Sequence, residues 1–421
     1  MRAAKNPTSR RRQIGKLLLL TIVAVLAWAL FRMFEPVLTY SSGWQPLRAD
    51  IASKPGVADP AWVEVGAQAD ADLREARQRL QAPALSAAIM IDGKRVWASA
   101  TGMADVAHSR LVGLDSSFRL GSSSKAVNAV AMGRLIDAGK LDIDLSVRRY
   151  IADLPSTYEP VTTRLAISHM AGIPGYGLCL CFPIWEHKNR RHFDGVRDAL
   201  RVFENRSLLF KPGDGFQYSS YGTNVAGAVV EAAAGKPYNE FVADAVFRPL
   251  HMTHSSVDVV DADNPHRVAF YEVTEGEFKL ADPVDNSIRY PSGGLLSTPT
   301  DMLALGNVFL GNDLLSEATR AKLITPQKLG DGSANPQGYA LGIRVFDEMK
   351  LFDGVTNTKF YSHHGTAVGS TSYFAIYPEY GLVVSMMMNK GQENLDAMAP
   401  EAHHLVELFI AEKIRRGRTA K

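Results

Sequence analysis

The pattern of apolar and polar residues along the chain predicts strands near both ends of the molecule and helices between them. Alternation at residues 85–91 and 95–100, on either side of Asp92 and Gly93, predicts a β-hairpin with a tight turn. Strand patterns return late in the chain, at residues 343–346, 372–377 and 382–388. The last two predict a second hairpin, because residues 378–381 between them begin with proline and end with glycine.

Helical spacing is clearest in residues 118–139, FRLGSSSKAVNAVAMGRLIDAG. From Lys125 onward its apolar residues recur three and four positions apart, which predicts a helix with one buried stripe that ends near Gly139. Further helices are predicted at residues 70–81, 164–169, 196–205 and 395–415.

The order of these elements predicts the fold class. Residues 141–235 have mostly helix and loop patterns, so a helical layer separates the early strands from the late ones. The two groups of strands must then meet in one largely antiparallel sheet. We therefore predict an α/β fold of the α+β type, in which an antiparallel sheet is flanked by helices and carries an inserted, mainly helical subdomain.

The first 34 residues differ from the rest of the chain in charge and hydropathy. They contain seven of the 46 lysines and arginines and none of the 44 acids, so the remainder holds 39 basic and 44 acidic residues. The apolar run 17–31 follows this basic cluster and, with its continuation, is about long enough to span a bilayer. We predict a transmembrane signal anchor at residues 1–34, a tether at 35–68 and one folded domain at 69–416.

The predicted anchor makes this a single-pass membrane protein with a cytoplasmic N-terminus and its folded domain on the far side, which is periplasmic in a bacterium. A cleaved signal peptide is the competing interpretation, since Ala27 and Ala29 form a small-x-small site, but Trp28 and the following apolar residues favour the anchor. A mitochondrial address also suits an arginine-bearing leader without acids. The slightly acidic remainder does not support a nucleic-acid partner.

Ser122 and Lys125 lie three residues apart at the start of the predicted helix, so their side chains share one face. Free backbone N–H groups and the positive end of the helix favour developing negative charge at Ser122. A serine hydroxyl is a weak nucleophile near neutral pH unless a base takes its proton, and a lysine partly removed from water can be that base. The pair therefore predicts nucleophilic chemistry.

FRLGSSSK, residues 118–125, resembles the active-site segment of the penicillin-recognising serine hydrolases, which include class C β-lactamases, D-Ala-D-Ala carboxypeptidases and their esterase and peptidase relatives. Two later stretches match the family's other motifs in order: PGDGFQYSSYG at 212–222 and HHGTAVG at 363–369. Two more, SHMAGIP and PSGGLLS, are interpreted as mainly structural. In the details of its motif sequences the chain resembles most the membrane-associated β-lactamase-like serine proteases, whose animal members are mitochondrial.

The resemblance implies roles for the catalytic groups. Tyr218 would share with Lys125 the task of receiving the Ser122 proton and passing it to the leaving group. Ser220 occupies the position of a family asparagine that contacts the substrate carbonyl, and it offers a hydroxyl in place of an amide. Backbone N–H groups of Ser122 and Thr366 would hold the oxyanion.

The third motif contributes His363 and Gly365. His363 would orient the proton network of the nucleophile or a substrate carboxylate, and strand alternation predicts that His364 points away from the cleft. If catalysis needs a protonated His363, its rate should fall above about pH 6.5. Gly365 would let a ligand or another backbone approach the strand closely.

The predicted function is a membrane-anchored serine hydrolase that cleaves an amide or peptide bond through a covalent acyl-enzyme. A small peptide or amide is the favoured substrate and an ester the second choice. Hydrolysis of β-lactams is third, because Ser220 and His363 depart from the lactamase pattern. The alternative from another class is a receptor that is acylated without turnover, or a scaffold without chemistry.

Neither a metal nor an organic cofactor is expected. The histidine pairs at 187 and 192 and at 403 and 404 lack a convincing set of further ligands. Cys179 and Cys181 are two residues apart, so a bridge between them would be strained and free thiols are equally compatible. The oligomeric state stays open.

Overall fold

The structure, a computed structural model, describes residues 7–38, 42–47, 56–177, 185–260, 262–352, 354–391 and 395–419, so Cys179 and Cys181 lie outside the described residues. The α-helices are α1 (Pro7–Leu38), α2 (Val63–Arg79), α3 (Ser124–Asp137), α4 (Thr163–Ile167), α5 (Val196–Ala199), α6 (Ser220–Ala234), α7 (Tyr238–Val242), α8 (Tyr290–Gly293), α9 (Pro299–Leu310), α10 (Glu317–Leu323) and α11 (Ala399–Thr419). The strands are β1 (Gln45–Pro46), β2 (Val57–Ala58), β3 (Ala84–Ile91), β4 (Lys94–Asp105), β5 (Arg110–Leu111), β6 (Phe118–Arg119), β7 (Ser256–Val257), β8 (Tyr271–Thr274), β9 (Glu277–Leu280), β10 (Leu295–Ser297), β11 (Arg344–Leu351), β12 (Thr356–Ser362), β13 (Gly365–Ala367), β14 (Ser370–Tyr377) and β15 (Leu382–Met388).

The main sheet joins the two ends of the folded domain. Its strands lie in the order β11-β12-β14-β15-β3-β4-β2, with β13 paired to β14 and β5 paired to β4. The late strand β15 runs antiparallel to the early strand β3, from Leu382 opposite Ile91 to Met388 opposite Leu85. The prediction of one antiparallel sheet built from both ends of the chain, with helices between, is confirmed.

Both faces of this sheet are covered, which explains why β3 is buried along its whole length. Alternate β3 residues, including Ala88 and Met90, pack in the core cluster that contains α3 and α9. The residues between them, including Leu85 and Ile89, pack in a second cluster with α2 and α11. The turn at the end of β3 has left-handed residues at Asp92 (φ 49°) and Gly93 (φ 76°), as the predicted two-residue hairpin requires.

Folded structure begins before residue 69, the predicted start of the domain. Helix α2 already includes that residue, and strand β2 pairs with β4, with Val57 opposite Ala98. Strand β1 pairs with β9, with Gln45 opposite Phe278. Parts of the predicted tether therefore pack on the domain. Strands of two residues carry no periodicity, so the sequence pattern does not predict them.

Two other elements are not predicted. The hairpin β8–β9 alternates apolar and polar residues on either side of Glu275 and Gly276, but each of its strands has only four residues, and strand β12 has an irregular burial pattern. The closing helix α11 starts at Ala399, after a 3-10 turn over Leu395–Met398.

Helix α1 presents its apolar side chains to the outside of the protein. Residues Arg11–Glu35 form a stretch of 25 residues that contains an 18-residue window of mean hydropathy 2.4, none of it buried, which by length and composition suits either a membrane span or a signal sequence. At the end of this stretch the Glu35 carboxylate lies 3.5 Å from Nη1 of Arg190 in the folded domain.

Candidate active site

Two glycines bring strand β13 against the 3-10 turn Gly121–Ser123, which carries Ser122 and leads into α3. Gly121 has φ +53°, in the left-handed region that favours glycine, and a Cβ atom there would lie 2.5 Å from the Thr366 carbonyl oxygen. A Cβ atom at Gly365 would lie 2.8 Å from the Ser122 nitrogen. The close approach predicted at Gly365 is therefore made by backbone, and it sets the peptide groups of Ser122 and Thr366 side by side.

Lys125 contacts the nucleophile from within the core. Its side chain is fully buried, and Nζ lies 3.1 Å from Ser122 Oγ, 3.3 Å from Ser220 Oγ and 2.7 Å from the carbonyl oxygen of Ser292. All three partners are uncharged oxygens. The structure thus brings together Ser122, Lys125 and Ser220, and it adds Ser292 from the PSGGLLS segment.

Burial lowers the pKa of Lys125 to about 7 from its usual 10.5. The phenol of Tyr176 opposes this shift, and the guanidinium groups of Arg344 and Arg289 add to it. An amine with this pKa is partly unprotonated at neutral pH. It can therefore accept a proton from the hydroxyl group of Ser122.

Tyr218 lies two residues before helix α6 and approaches Ser122 from that side. Its side chain lines the same cavity as Ser122, and its ring centroid lies 5.1 Å from Lys125 Nζ. Burial raises the pKa of Tyr218, while the interaction with the Ser122 side chain and the charge of Arg344 act in the opposite direction. The phenol therefore stays protonated at neutral pH and is placed to relay a proton.

The SHMAGIP segment holds Tyr218 in this position through His169. The backbone N–H of Gln217 donates to the His169 carbonyl over 2.9 Å, and the N–H of Ser219 donates to His169 Nδ1 over 3.2 Å. The imidazole also packs against the Tyr218 ring at a centroid distance of 4.3 Å. Burial lowers the pKa of His169 well below its usual value, so the ring is neutral and supports the tyrosine without a charge.

The orientation predicted for His363 is wrong. His363 is fully buried behind the site: its Nδ1 donates to the His364 carbonyl over 2.9 Å, so its Nε2 accepts the Tyr339 hydroxyl over 2.8 Å. Burial lowers its pKa well below 6.5, with the positive charges of Arg344 and Lys125 adding to the shift. His364 stacks on Tyr373 at 4.2 Å. Strand alternation alone could not foresee that neither imidazole lines the cleft.

A cavity of about 920 Å³ opens over Ser122 and is also lined by Tyr218, Ser220, Ser292 and Thr366. One wall comes from the β8–β9 hairpin and from Trp44, next to strand β1. Another carries His187, Lys188 and Arg289. A space of this size accommodates a small peptide or a comparable amide.

Comparison with known proteins assigns the chain that forms this cavity to a family. The family model described as beta-lactamase matches residues 69–407, which is most of the chain. The chain belongs to the beta-lactamase family. The resemblance inferred from the three motifs is thereby confirmed.

Relatives within the beta-lactamase family cover most of the chain at low identity. The human serine beta-lactamase-like protein LACTB, mitochondrial, is 27% identical over 78% of this chain and 77% of its own length. Penicillin-binding protein 4* of Bacillus subtilis is 23% identical over 72% of this chain and 68% of its own. The crystal structure of D-amino acid amidase from Ochrobactrum anthropi superposes with a TM-score of 0.69 at 19% identity, over 84% of this chain and 99% of the amidase, and shares the fold.

Sequence reasoning missed several residues that shape this beta-lactamase-family site. Tyr339 and Arg344 lie behind Tyr218, with Arg344 centred 5.4 Å from the Tyr218 ring. Trp44 comes from the predicted tether. None of these belongs to a motif, and only the folded chain brings them to the site.

Proposed function

We propose that this chain is a serine hydrolase that cleaves an amide or peptide bond through an acyl-enzyme on Ser122. The observation that carries the proposal is the contact at the nucleophile: Ser122 Oγ is within hydrogen-bonding distance of a fully buried lysine amine, and a tyrosine side chain in the same cavity interacts with this serine. A lysine kept in contact only with neutral oxygens has no evident structural use. It does serve as a base.

In the proposed first step the Ser122 oxygen forms a bond to the substrate carbonyl carbon while its proton passes to the neutral Lys125 amine. The proton then moves through the Tyr218 hydroxyl to the leaving nitrogen as the carbon–nitrogen bond breaks. Water repeats the sequence on the ester intermediate and releases the acid. The adjacent N–H groups of Ser122 and Thr366 would stabilise the oxyanion, a contribution typically of about 3–4 kcal/mol per donor.

The bond class is part of the proposal. An amide is supported by the cavity, which accommodates a peptide, and by a fold neighbour that is named a D-amino acid amidase. An ester follows as second choice. Hydrolysis of β-lactams ranks third because Ser220 offers Lys125 a hydroxyl in place of the family's amide, and because His363 is occupied by Tyr339.

We further propose that α1 anchors the domain to a membrane, with the N-terminus cytoplasmic and the domain on the far side. Its apolar, exposed residues support this. The contact of Glu35 with Arg190 and the position of Trp44 on the cavity wall would put the cleft close to the lipid surface. A fractionation experiment with protease access from either side, compared with a chain lacking residues 1–34, tests the topology.

Labelling with a fluorophosphonate and with a fluorescent penicillin, in wild type and Ser122→Ala, tests the chemistry. A transient label in the wild type that is absent from the variant is expected for a hydrolase. A permanent label without turnover would identify a receptor, and no label in either protein would identify a scaffold. A peptide-library digest with the same two proteins then distinguishes peptide cleavage from ester or β-lactam hydrolysis.

A further inference from the structure

Three side chains that lie outside the secondary-structure elements converge near the start of strand β6. The donor atoms of Asp115, His254 and His266 all lie within 4.8 Å of one another. The carboxylate of Asp115 is 3.0 Å from Nδ1 of His266, and the two imidazoles meet edge to face, with centroids 4.7 Å apart. Residues so distant in sequence match no metal motif, which is why sequence reasoning did not group them.

One buried serine fixes the backbone of this cluster. The N–H of Ser117 donates to the His266 carbonyl over 2.8 Å, and its hydroxyl donates to the His254 carbonyl over 2.8 Å. Ser117 is two residues from Asp115, so one short stretch holds all three loops together. The N–H of His254 is held in addition by the Asp301 carboxylate at 2.9 Å. The donors are thus arranged in advance by the protein, as a binding site requires.

We propose that Asp115, His254 and His266 bind a zinc ion, with water completing a four-coordinate site. Two imidazoles and one carboxylate are the ligand types that Zn²⁺ prefers, and ligand bonds of about 2.0–2.2 Å require donors roughly 3.3 Å apart. The Asp115 and His266 donors are already near that separation. All three side chains are at least partly exposed, so an ion can enter, and the donors, now within 4.8 Å of one another, would move closer together on binding it.

Other histidine–carboxylate pairs of the molecule provide a contrast. His108 lies 2.8 Å from Asp105 and His404 lies 3.0 Å from Asp72, both on the surface. Among the residues that the structure describes, only the Asp115 cluster brings a third ligand into range. An ordinary ion pair needs one imidazole, and the second imidazole, 4.7 Å away, distinguishes the Asp115 cluster from such pairs.

The bound ion would stabilise the segment that leads into the nucleophile. Asp115 lies seven residues before Ser122, and β6 between them pairs with β10, with Phe118 opposite Ser297. A ligand that binds only the folded state raises the melting temperature by an amount that grows with the logarithm of its free concentration relative to its dissociation constant. The inference is independent of the catalytic proposal.

Titration of the EDTA-treated full chain in detergent with Zn²⁺, followed by calorimetry and thermal unfolding, tests the site. The wild type and the control His108→Ala are expected to bind one ion tightly and to gain thermal stability. His254→Gln, His266→Gln and Asp115→Asn should weaken binding by more than about 100-fold and lose that gain. Circular dichroism checks that each variant is folded. No saturable binding by the wild type, or unchanged binding by the folded His254→Gln/His266→Gln variant, would overturn the inference.

Discussion

Two buried cations flank Ser122 in the sequence, Arg119 three residues before it and Lys125 three residues after it. Their hydrogen-bond partners differ in charge. Arg119 is 2.7 Å from a carboxylate oxygen of Asp258, donates to the Val368 carbonyl and packs on the Phe270 ring. Asp258 is bound in turn by Arg267 at 2.8 Å. Lys125 has only neutral oxygen partners.

The difference separates a structural charge from a reactive one. Burial would raise the pKa of Asp258, but the charges of Arg119 and Arg267 outweigh it and lower that pKa, so the carboxylate stays ionised. Lys125 lacks such compensation, and its pKa falls to about 7. A buried cation that has an acid partner holds elements together, whereas one without an acid can exchange its proton.

Replacing Lys125 with methionine should have the largest effect. Fluorophosphonate labelling of Ser122 is expected to slow by about 100- to 10,000-fold, because the base is lost. The free energy of unfolding, measured in urea, should stay equal or rise, since an unpaired buried amine is replaced by an apolar chain of similar size.

The control for this change is Lys413→Met, which removes a lysine bonded to Asp92 on the surface. It should leave the labelling rate unchanged. A Lys125→Met variant that is labelled at the wild-type rate would contradict the assignment of Lys125 as the base.

Asp258→Asn should have the second-largest effect, and this effect should be on stability instead of on labelling. Loss of the carboxylate leaves Arg119 without compensation, so the free energy of unfolding should fall by about 3–5 kcal/mol. Asp92→Asn, in a left-handed turn position that asparagine tolerates, breaks an exposed pair with Lys413 and should cost at most about 1 kcal/mol. Equal costs for the two variants would contradict the structural role of the buried pair.

The two sites also differ in how far the sequence could predict them. Ser122 and Lys125 share one helix turn, so their proximity follows from spacing alone. Tyr218 depended on the family resemblance. The partner of Arg119 is 139 residues away, and no periodicity links Asp258 to it.

The same limit applies to the fold. The long strands β3, β14 and β15 follow from apolar runs, but β1 has only two residues and the strands of the β8–β9 hairpin, which lines the cavity, have four each, too few for a clear pattern. His363 shows a further limit, because alternation gives the face of a strand and not what covers that face. The buried Tyr339 hydroxyl decides the role of this imidazole.

The pH dependence of acylation should follow Lys125. Since only the neutral amine accepts a proton, the labelling rate is expected to rise about tenfold per pH unit below 7 and to level off above it. His363 is neutral throughout this range, so no loss of rate near pH 6.5 should appear. A rate that falls above pH 6.5 would restore the protonated His363 and contradict this assignment.

The free energy of unfolding of the wild type should also depend on pH through the lowered pKa of Lys125. Because the pKa of Lys125 is lower in the folded than in the unfolded chain, the cost of burying it is absent above pH 10.5, grows as pH falls and is complete near pH 7. The excess stability of Lys125→Met over the wild type should therefore shrink between pH 7 and 10.5. A pH-independent difference would show that the amine is not desolvated in the folded state.

Tyr339→Phe should have the smallest effect. It tests whether Tyr339 and His363 take part in proton transfer or only stabilise the fold around the site. The change removes the hydroxyl that donates to His363 Nε2 and leaves a buried acceptor without a partner, which should cost about 1–3 kcal/mol of stability. Tyr158→Phe, which removes a buried hydroxyl that has no hydrogen-bond partner in the described structure, should cost nothing or stabilise. Because Tyr339 touches neither Ser122 nor Lys125 in the bonds described, the labelling rate should change by no more than a few fold. A loss as large as that of Lys125→Met would place Tyr339 and His363 inside the proton path.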